Sequence, residues 1–301
     1  MGKVKSGQAG PAPAAPSREN ESGAPASRVV SPHRIAIDTG MSPFRPALAS
    51  VLVLSCALPA AAASSDWAQV TGGAVRLVVS SQPDPQGRLR GALEVELEPG
   101  WKTYWREPGG SGVPPSVTVT ADGRPVATEM DFPAPQRHED GGDVWAGYDQ
   151  PVAFALILSP PAGTGALDAS VFLGVCRDIC IPVQASFRVE TAGAESLADE
   201  EQVVTDAFAA LPGEPRPGLR VTSARVDGGS LTIEAEGPAA AELFLASDAG
   251  PIFGTPERSA GGGHLAFRVP LLEPLPAGGT RLAYTLAAGR EAVAGTADVA
   301  R

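Results

Sequence analysis

Leu89-Arg-Gly-Ala-Leu-Glu-Val-Glu-Leu97 alternates apolar residues against Arg90, Glu94 and Glu96. Successive side chains of a strand point to opposite faces, so this is a strand with one face on a core and one in water. The chain around it repeats the pattern. Upstream, Ala74-Val-Arg-Leu-Val-Val-Ser80 alternates, and Gln82-Pro-Asp-Pro-Gln-Gly87 is a turn. Downstream, Ser116-Val-Thr-Val-Thr120 leads into the turn Ala121-Asp-Gly-Arg124, and Val152-Ala-Phe-Ala-Leu-Ile-Leu158 is a continuous apolar run, expected to be a central strand. Leu167–Val175 and Ser186–Glu190 close the series. Short strands at this spacing predict a β-sandwich. A helix is expected over Glu195–Leu211, capped by Ser196, with Asp199 and Glu200 in its first turn and Leu197, Val203, Val204, Phe208 and Leu211 as a partial apolar stripe. Pro212-Gly-Glu-Pro-Arg-Pro-Gly218 stops it and forms a stiff linker. Leu219-Arg-Val221, Leu231–Ala235, Glu242–Leu245, His264–Val269 and Arg281–Leu286 then predict a second, smaller β-sandwich. The fold class is all-β.

Composition agrees. The 301 residues include 35 Gly and 30 Pro but only 5% aromatics, which favours many short strands joined by turns over long helices. No 20-residue apolar run follows Val70, so no transmembrane helix is expected beyond it. Residues 1–40 read as a disordered extension or a mis-assigned start. Met41-Ser-Pro-Phe-Arg45, the apolar run Ala47–Leu58 and the small residues Ala60–Ala63 have the make-up of a Sec signal peptide over 41–63, starting at Met41 and cleaved after Ala63. The chain is therefore expected to be exported to the periplasm. Cys56 follows Val53-Leu54-Ser55, a poor lipobox. Taking the six Lys and Arg and the three Asp and Glu of residues 1–63 from totals of 23 and 34 leaves 17 basic and 31 acidic residues, a net charge of −14. Such a surface argues against nucleic acid or anionic lipid as a partner.

Two cysteines remain, in Gly174-Val-Cys-Arg-Asp-Ile-Cys-Ile-Pro182. A two-cysteine exported protein normally forms the bond. On a straight strand, residues i and i+4 lie about 13 Å apart, whereas a disulfide needs Cα atoms about 4.4–6.8 Å apart. Arg177-Asp-Ile179 must therefore turn back, placing the pair at a loop or strand end. A closed loop of about five residues gains only roughly 2 kcal/mol in the chain-entropy model, a weak staple but a reasonable redox switch. Three readings stay open from the residues: a redox pair, a structural bond, or thiolate metal binding. For the last, Met130, His138 and His264 are further candidate ligands, but none stands at a ligand-like spacing from Cys176 and Cys180. The three-residue spacer, with no helix beginning at Cys176, is not a thioredoxin motif.

The cysteine segment Gly174–Pro182, the upstream Pro99-Gly-Trp-Lys-Thr-Tyr-Trp-Arg-Glu-Pro-Gly-Gly-Ser-Gly-Val-Pro-Pro115 and Phe132-Pro-Ala-Pro-Gln136 together resemble the N-terminal periplasmic domain of the thiol:disulfide interchange protein DsbD, in the DsbD-alpha branch that also heads the ScsB proteins. The resemblance covers roughly Trp67 to Glu190. It implies an immunoglobulin-like sandwich, placed over 64–192; the residues themselves place a helix and linker over 193–217 and the second sandwich over 218–301. It implies that Cys176 and Cys180 are the redox pair of a thiol–disulfide oxidoreductase component, with Cys180 attacked first. It implies electrons taken from a membrane-embedded DsbD-, ScsB- or CcdA-like donor and passed to periplasmic thioredoxin-like proteins that serve cytochrome c maturation, disulfide isomerisation or copper stress. No cofactor or metal is implied. Two alternatives of other classes stand beside it: a non-catalytic binding module with a structural disulfide, and a copper-binding accessory protein. The chain departs from the family in its shorter Cys-x3-Cys spacer. It also lacks an aromatic at the cap position within His138-Glu-Asp-Gly-Gly-Asp-Val-Trp-Ala-Gly-Tyr148, leaving Trp145 or Tyr148 to shield the pair.

Trp101, Tyr104 and Trp105 are expected to be core and surface-shelf aromatics, with a platform that docks a partner's thiol as the alternative, and the acidic run His138–Asp143 a solvated loop or a cap beside the cysteines. Gly109-Gly-Ser-Gly112 lacks the Lys-Ser/Thr of a phosphate loop. Asp178 would raise a neighbouring thiol pKa and Arg177 would lower one.

Overall fold

The computed structural model of the chain describes residues 63–109, 112–140, 143–191, 198–247, 253–258, 264–275 and 281–300. The signal-peptide reading falls outside them except at Ala63, which is buried and whose carbonyl accepts a hydrogen bond from Val79 N–H at 2.8 Å.

The first sandwich comprises β1 (Ala68–Val70), β2 (Gly73–Val79), β3 (Leu89–Leu97), β4 (Lys102–Tyr104), β5 (Ser116–Ala121), β6 (Arg124–Asp131), β7 (Gln136–Asp140), β8 (Asp143–Tyr148), β9 (Val152–Ser159), β10 (Ala166–Cys176) and β11 (Cys180–Glu190). One face is β1-β2-β3-β9-β6, all antiparallel. Strand β6 changes sheets along its length. Residues 127–131 pair with β9, while 124–126 pair with β5 in the opposite sheet. The hairpin joining β5 to β6 turns through Asp122 and Gly123, both at positive φ (49° and 75°), as a two-residue primed turn requires. In the second sheet β10 is central: β11 runs along one side, and β5 and then β4 along the other, with β8 and β7 outside β4.

Between the sheets lies a core that includes Val75, Leu77, Leu93, Phe154, Leu156, Leu167 and Leu173, each fully buried. The outward phase of the first sheet explains its small residues. Val78, Ala92 and Ala155 face α1 (Ala198–Ala209), which lays Val204 and Ala207 on them. Glu201 in its first turn accepts from the Ser80 hydroxyl (3.0 Å) and Ser81 N–H (3.1 Å), and Glu200 accepts from the Ser64 hydroxyl. The helix ends at Ala209, two residues before the Leu211 expected from the sequence, and Glu195, Ser196 and Leu197 lie outside the described residues.

The second sandwich has β12 (Arg220–Asp227), β13 (Ser230–Glu236), β14 (Glu242–Ala246), β15 (Glu257–Arg258), β16 (Leu265–Pro270), β17 (Arg281–Ala288) and β18 (Glu291–Ala300). Sheet β12-β13-β16-β15 meets sheet β14-β17-β18 through a parallel pairing of β12 with the end of β18. Leu231, Ile233, Leu243, Val269, Leu286 and Val293 form its core. His264, expected within a strand, precedes β16 and is exposed. The two sandwiches share a contact. Phe244 of β14 joins the first core, meeting Trp105 edge-on at 5.9 Å. Arg137 of β7 stacks its guanidinium 4.8 Å above the same ring and donates to Leu243 O at 2.7 Å. Burial pulls the Arg137 pKa down. Among the described residues no helix is long and apolar enough to cross a membrane.

Candidate functional site

Along β10, Leu167, Ala169, Val171, Leu173 and Val175 point into the core. Cys176 is therefore on the opposite phase, the outer face of the sheet, yet it is only 1% exposed. What covers it comes from the neighbouring strands. In the ladders, Lys102 of β4 lies opposite Cys176, Gly147 of β8 opposite Tyr104, and His138 of β7 opposite Trp145. Directly paired residues share a face. His138, Trp145, Lys102, Tyr104, Cys176 and Cys180 therefore form one band across β7, β8, β4, β10 and β11 on the outside of the sandwich.

The hairpin turns back as the spacing required: β10 ends at Cys176, residues 177–179 make the loop, and Cys180 opens β11 directly opposite. The two cysteines are disulfide-bonded with Cα atoms 4.1 Å apart. They differ in access, since Cys176 is buried and Cys180 exposed. Ile179 beside them is 72% exposed, a large apolar side chain at the hairpin tip.

Tyr104 is the aromatic in contact with the sulfurs. Its hydroxyl lies 3.1 Å from both Cys180 Sγ and Cys176 Sγ. The ring passes over Gly174, where an added Cβ would stand 3.3 Å from it. Below it, Thr103 turns into the core and donates to Gly174 O at 2.9 Å, fixing β4 against β10. Trp145 meets Tyr104 edge-on at 5.8 Å, packing with it and Cys176 into one buried cluster. Gly147 makes room for this: a Cβ there would lie 2.3 Å from Thr103 O and 2.9 Å from the Trp145 ring. His138 stacks on the other side of Trp145, centroids 4.0 Å apart, and the Lys102 ammonium lies 4.5 Å from the Trp145 centroid. Around the hairpin, Arg177 lies 4.9 Å from the Trp101 ring and pairs with Asp178 at 3.3 Å. These groups, with Asp149 and Gln150, line an open groove of ≈ 790 Å³ beside the disulfide.

Several sequence expectations change here. Of the two candidate shields, Trp145 covers the cysteine face. Tyr148 points inward, donating its hydroxyl to Pro133 O at 2.7 Å against Phe154, and burial raises its pKa well above the usual phenol value. The run His138–Asp143 is no loop: residues 136–140 and 143–148 form a β-hairpin, with Gly141 and Gly142 outside the described residues. Trp101 and Trp105 pack in the core as expected, but Tyr104, placed with them by the sequence reading, packs on the cysteines instead. The signal was available in the alternation Lys102-Thr103-Tyr104, which puts the first and third on one face. Met130 packs against the first core on β6. Among the described residues no group of three or more His, Cys, Asp and Glu is gathered as a metal site. Of Gly109–Gly112, Gly110 and Ser111 lie outside the described residues.

Residues 74–191 match the model of the family described as thiol:disulfide interchange protein DsbD, N-terminal. Among solved structures, the N-terminal periplasmic domain of ScsB from Proteus mirabilis is similar with a TM-score of 0.68 at 24% identity, covering 80% of this chain and 100% of that one. A chimeric titin Z1Z2 tandem aligns at 16% identity over 78% of this chain and 97% of its own, with a TM-score of 0.19. No curated protein matches the chain. The ScsB likeness spans both sandwiches and establishes a shared all-β, immunoglobulin-like architecture, while the stretch 74–191, disulfide included, matches the DsbD N-terminal family model.

Proposed function

We propose that this chain is a periplasmic thiol–disulfide exchange protein that carries two electrons at a time on Cys176 and Cys180. A donor thiolate attacks Cys180 Sγ, a mixed disulfide forms there, and the electron pair of the broken bond leaves on Cys176 Sγ. A second donor thiol then displaces Cys180, releasing the oxidised donor and a dithiol. Toward an acceptor the order reverses: the Cys180 thiolate attacks the acceptor's disulfide, and Cys176 resolves the mixed disulfide by attacking Cys180 Sγ. The observation that carries this reading is the asymmetry of the pair, Cys180 an exposed residue at the hairpin tip and Cys176 a buried one beneath Tyr104 and Trp145. Attack requires access to one sulfur, and resolution requires the other to be kept from outside reagents.

The match of residues 74–191 to the DsbD N-terminal family model supports a membrane-embedded thiol donor and thioredoxin-like acceptors, including those of cytochrome c maturation, disulfide isomerisation or copper stress. In this reading 64–192 is the redox domain, 193–217 a helix and linker, and 218–301 an accessory sandwich. Residues 41–63 act as the export signal. The deciding measurement is the reduction potential of the pair, by thiol trapping in glutathione or dithiothreitol buffers. A value above about −250 mV lies in the range of exchange proteins, whereas one below about −300 mV marks a structural bond and removes the proposal.

A further inference from the structure

Opening the disulfide moves a charge. When a partner thiolate bonds to Cys180 Sγ, the S–S bond breaks and its electron pair, with the negative charge, comes to rest on Cys176 Sγ. That sulfur belongs to a residue 1% exposed, under two aromatic rings. Burial disfavours a thiolate, and only a charge or a hydrogen-bond donor close by restores it.

The groups facing Cys176 across the groove can be named from each element packed there. Strand β4 presents Lys102 and Tyr104, β7 presents His138, the segment after β8 presents Asp149, and the hairpin loop presents Arg177 and Asp178. Tyr104 brings a hydroxyl but no charge. The Arg177 guanidinium lies over Trp101, a member of the inner core, and His138 stands on β7, separated from β10 by β4 and β8. Asp149 and Asp178 have the wrong sign. Lys102 differs from all of these: it is the residue directly opposite Cys176 in the β4–β10 ladder, on the same face, where paired Cβ atoms stand about 4.5–5.5 Å apart. Its ammonium is stationed on the Trp145 ring, which itself touches the Tyr104–Cys176 cluster.

We propose that Lys102 is a positioning residue of the exchange reaction, the counter-charge held ready on Trp145 for the thiolate that leaves on Cys176. The inference rests on the redox reading above and deepens it.

The test is the pH dependence of Cys176 alkylation by iodoacetamide, read on the Cys176 peptide by mass spectrometry in the Cys180→Ser chain, so that other thiols do not contribute. Adding Lys102→Met is expected to move the midpoint of the labelling profile upward by about one pH unit, that is, about tenfold less thiolate at any pH below it. Lys102→Arg keeps the charge and is expected to stay within a few tenths of a unit of the parent. If the Met variant loses the near-ultraviolet dichroism of the Tyr104–Trp145 cluster, Lys102→Gln replaces it with the same expectation. A neutral variant whose midpoint coincides with the parent overturns the proposal, and so does an Arg variant that moves as far as the neutral one. The labelling needs neither a partner nor a potential. A pair whose potential lies in the structural range therefore removes the exchange reading while leaving the Lys102 shift measurable. An unmoved midpoint with an exchange-type potential removes Lys102 alone.

Discussion

Tyr104→Phe deletes a single oxygen, and the structure fixes which redox state feels it. In the oxidised protein the hydroxyl lies 3.1 Å from two disulfide sulfurs, which are weak acceptors, so its loss changes that state little. In the reduced protein the same hydroxyl faces a thiolate, and a hydrogen bond to a charged group contributes about 1.5–3 kcal/mol. The variant therefore destabilises the reduced form more than the oxidised one. At the lower end of that range the potential falls, becoming more negative, by about 30 mV, since about 1.4 kcal/mol corresponds to 30 mV for a two-electron couple. The effect depends on the thiolate and should fade at pH values where both thiols are protonated. Phenylalanine keeps the edge-on contact with Trp145 (5.8 Å, 83°) and the ring over Gly174, so folding of the oxidised form should be preserved. The assay is thiol trapping in redox buffers at acidic and alkaline pH, wild type against variant. An alkaline potential that is unchanged, or that rises, would show that the hydroxyl does not serve the thiolate and would refute the reasoning.

Three further outcomes are expected. Gly147→Ala places a Cβ 2.3 Å from Thr103 O and 3.0 Å from Tyr104 Cα, backbone atoms that move only if β4 shifts from β8. It should lose about 1–3 kcal/mol in urea unfolding and speed alkylation of Cys176 in the reduced chain. Phe244→Ala empties the contact between the sandwiches, where the ring is 2% exposed against Trp105 and Arg137, and should cost about 3–5 kcal/mol. A loss below 1 kcal/mol would mean the two cores are not joined there. Burial raises the Glu107 pKa above its ordinary 4.5, with Arg106 opposing. A raised carboxylate contributes stability below the unfolded value and loses it as pH rises through the folded one. Glu107→Gln should therefore raise the melting temperature at pH 7, with the gain vanishing below about pH 4, where the wild-type carboxyl is itself neutral. An equal gain at both pH values would contradict this sign.

The strands that alternate were legible to within a residue at each end. Leu89–Leu97 is β3 with the bounds read from the sequence, because Leu89, Leu93, Val95 and Leu97 are buried while Arg90, Glu94 and Glu96 alternate with them on the outward face, where Ala92 lies beneath α1. Val152–Leu158 was legible as central because both its faces are covered, by the core and by α1. The β7–β8 hairpin was hidden for the complementary reason. Its charged residues are not signs of a loop but of strands whose neighbours are rings and another sandwich: Arg137 lies on Phe244, and His138 on Trp145. The first of these partners lies on the second sandwich and the second across the hairpin itself, pairings that alternation along one strand does not carry. The long strand β18, Glu291–Ala300, escaped notice because its burial is patchy, with Val293 alone fully buried.

The cysteine segment holds a cue of a different kind. The phase of Leu167 to Val175 assigns Cys176 to the outer face, where no core waits for it. A disulfide meant to staple a sandwich would join residues that the ladder leaves apart, as between the two sheets. This one joins Cys176 to Cys180 at the end of an eleven-residue ladder that already aligns β10 with β11, across a loop of three residues. The cross-link therefore adds little that the backbone has not fixed, about 2 kcal/mol in the chain-entropy model before the ladder is considered. Yet the chain gives this outer-face bond Tyr104, Trp145 and Lys102, seated through glycines at 147 and 174 that keep the surface low enough for the rings. Residues spent on covering one sulfur and leaving its partner open are explained by the chemistry of breaking the bond, and not by the stability gained from making it.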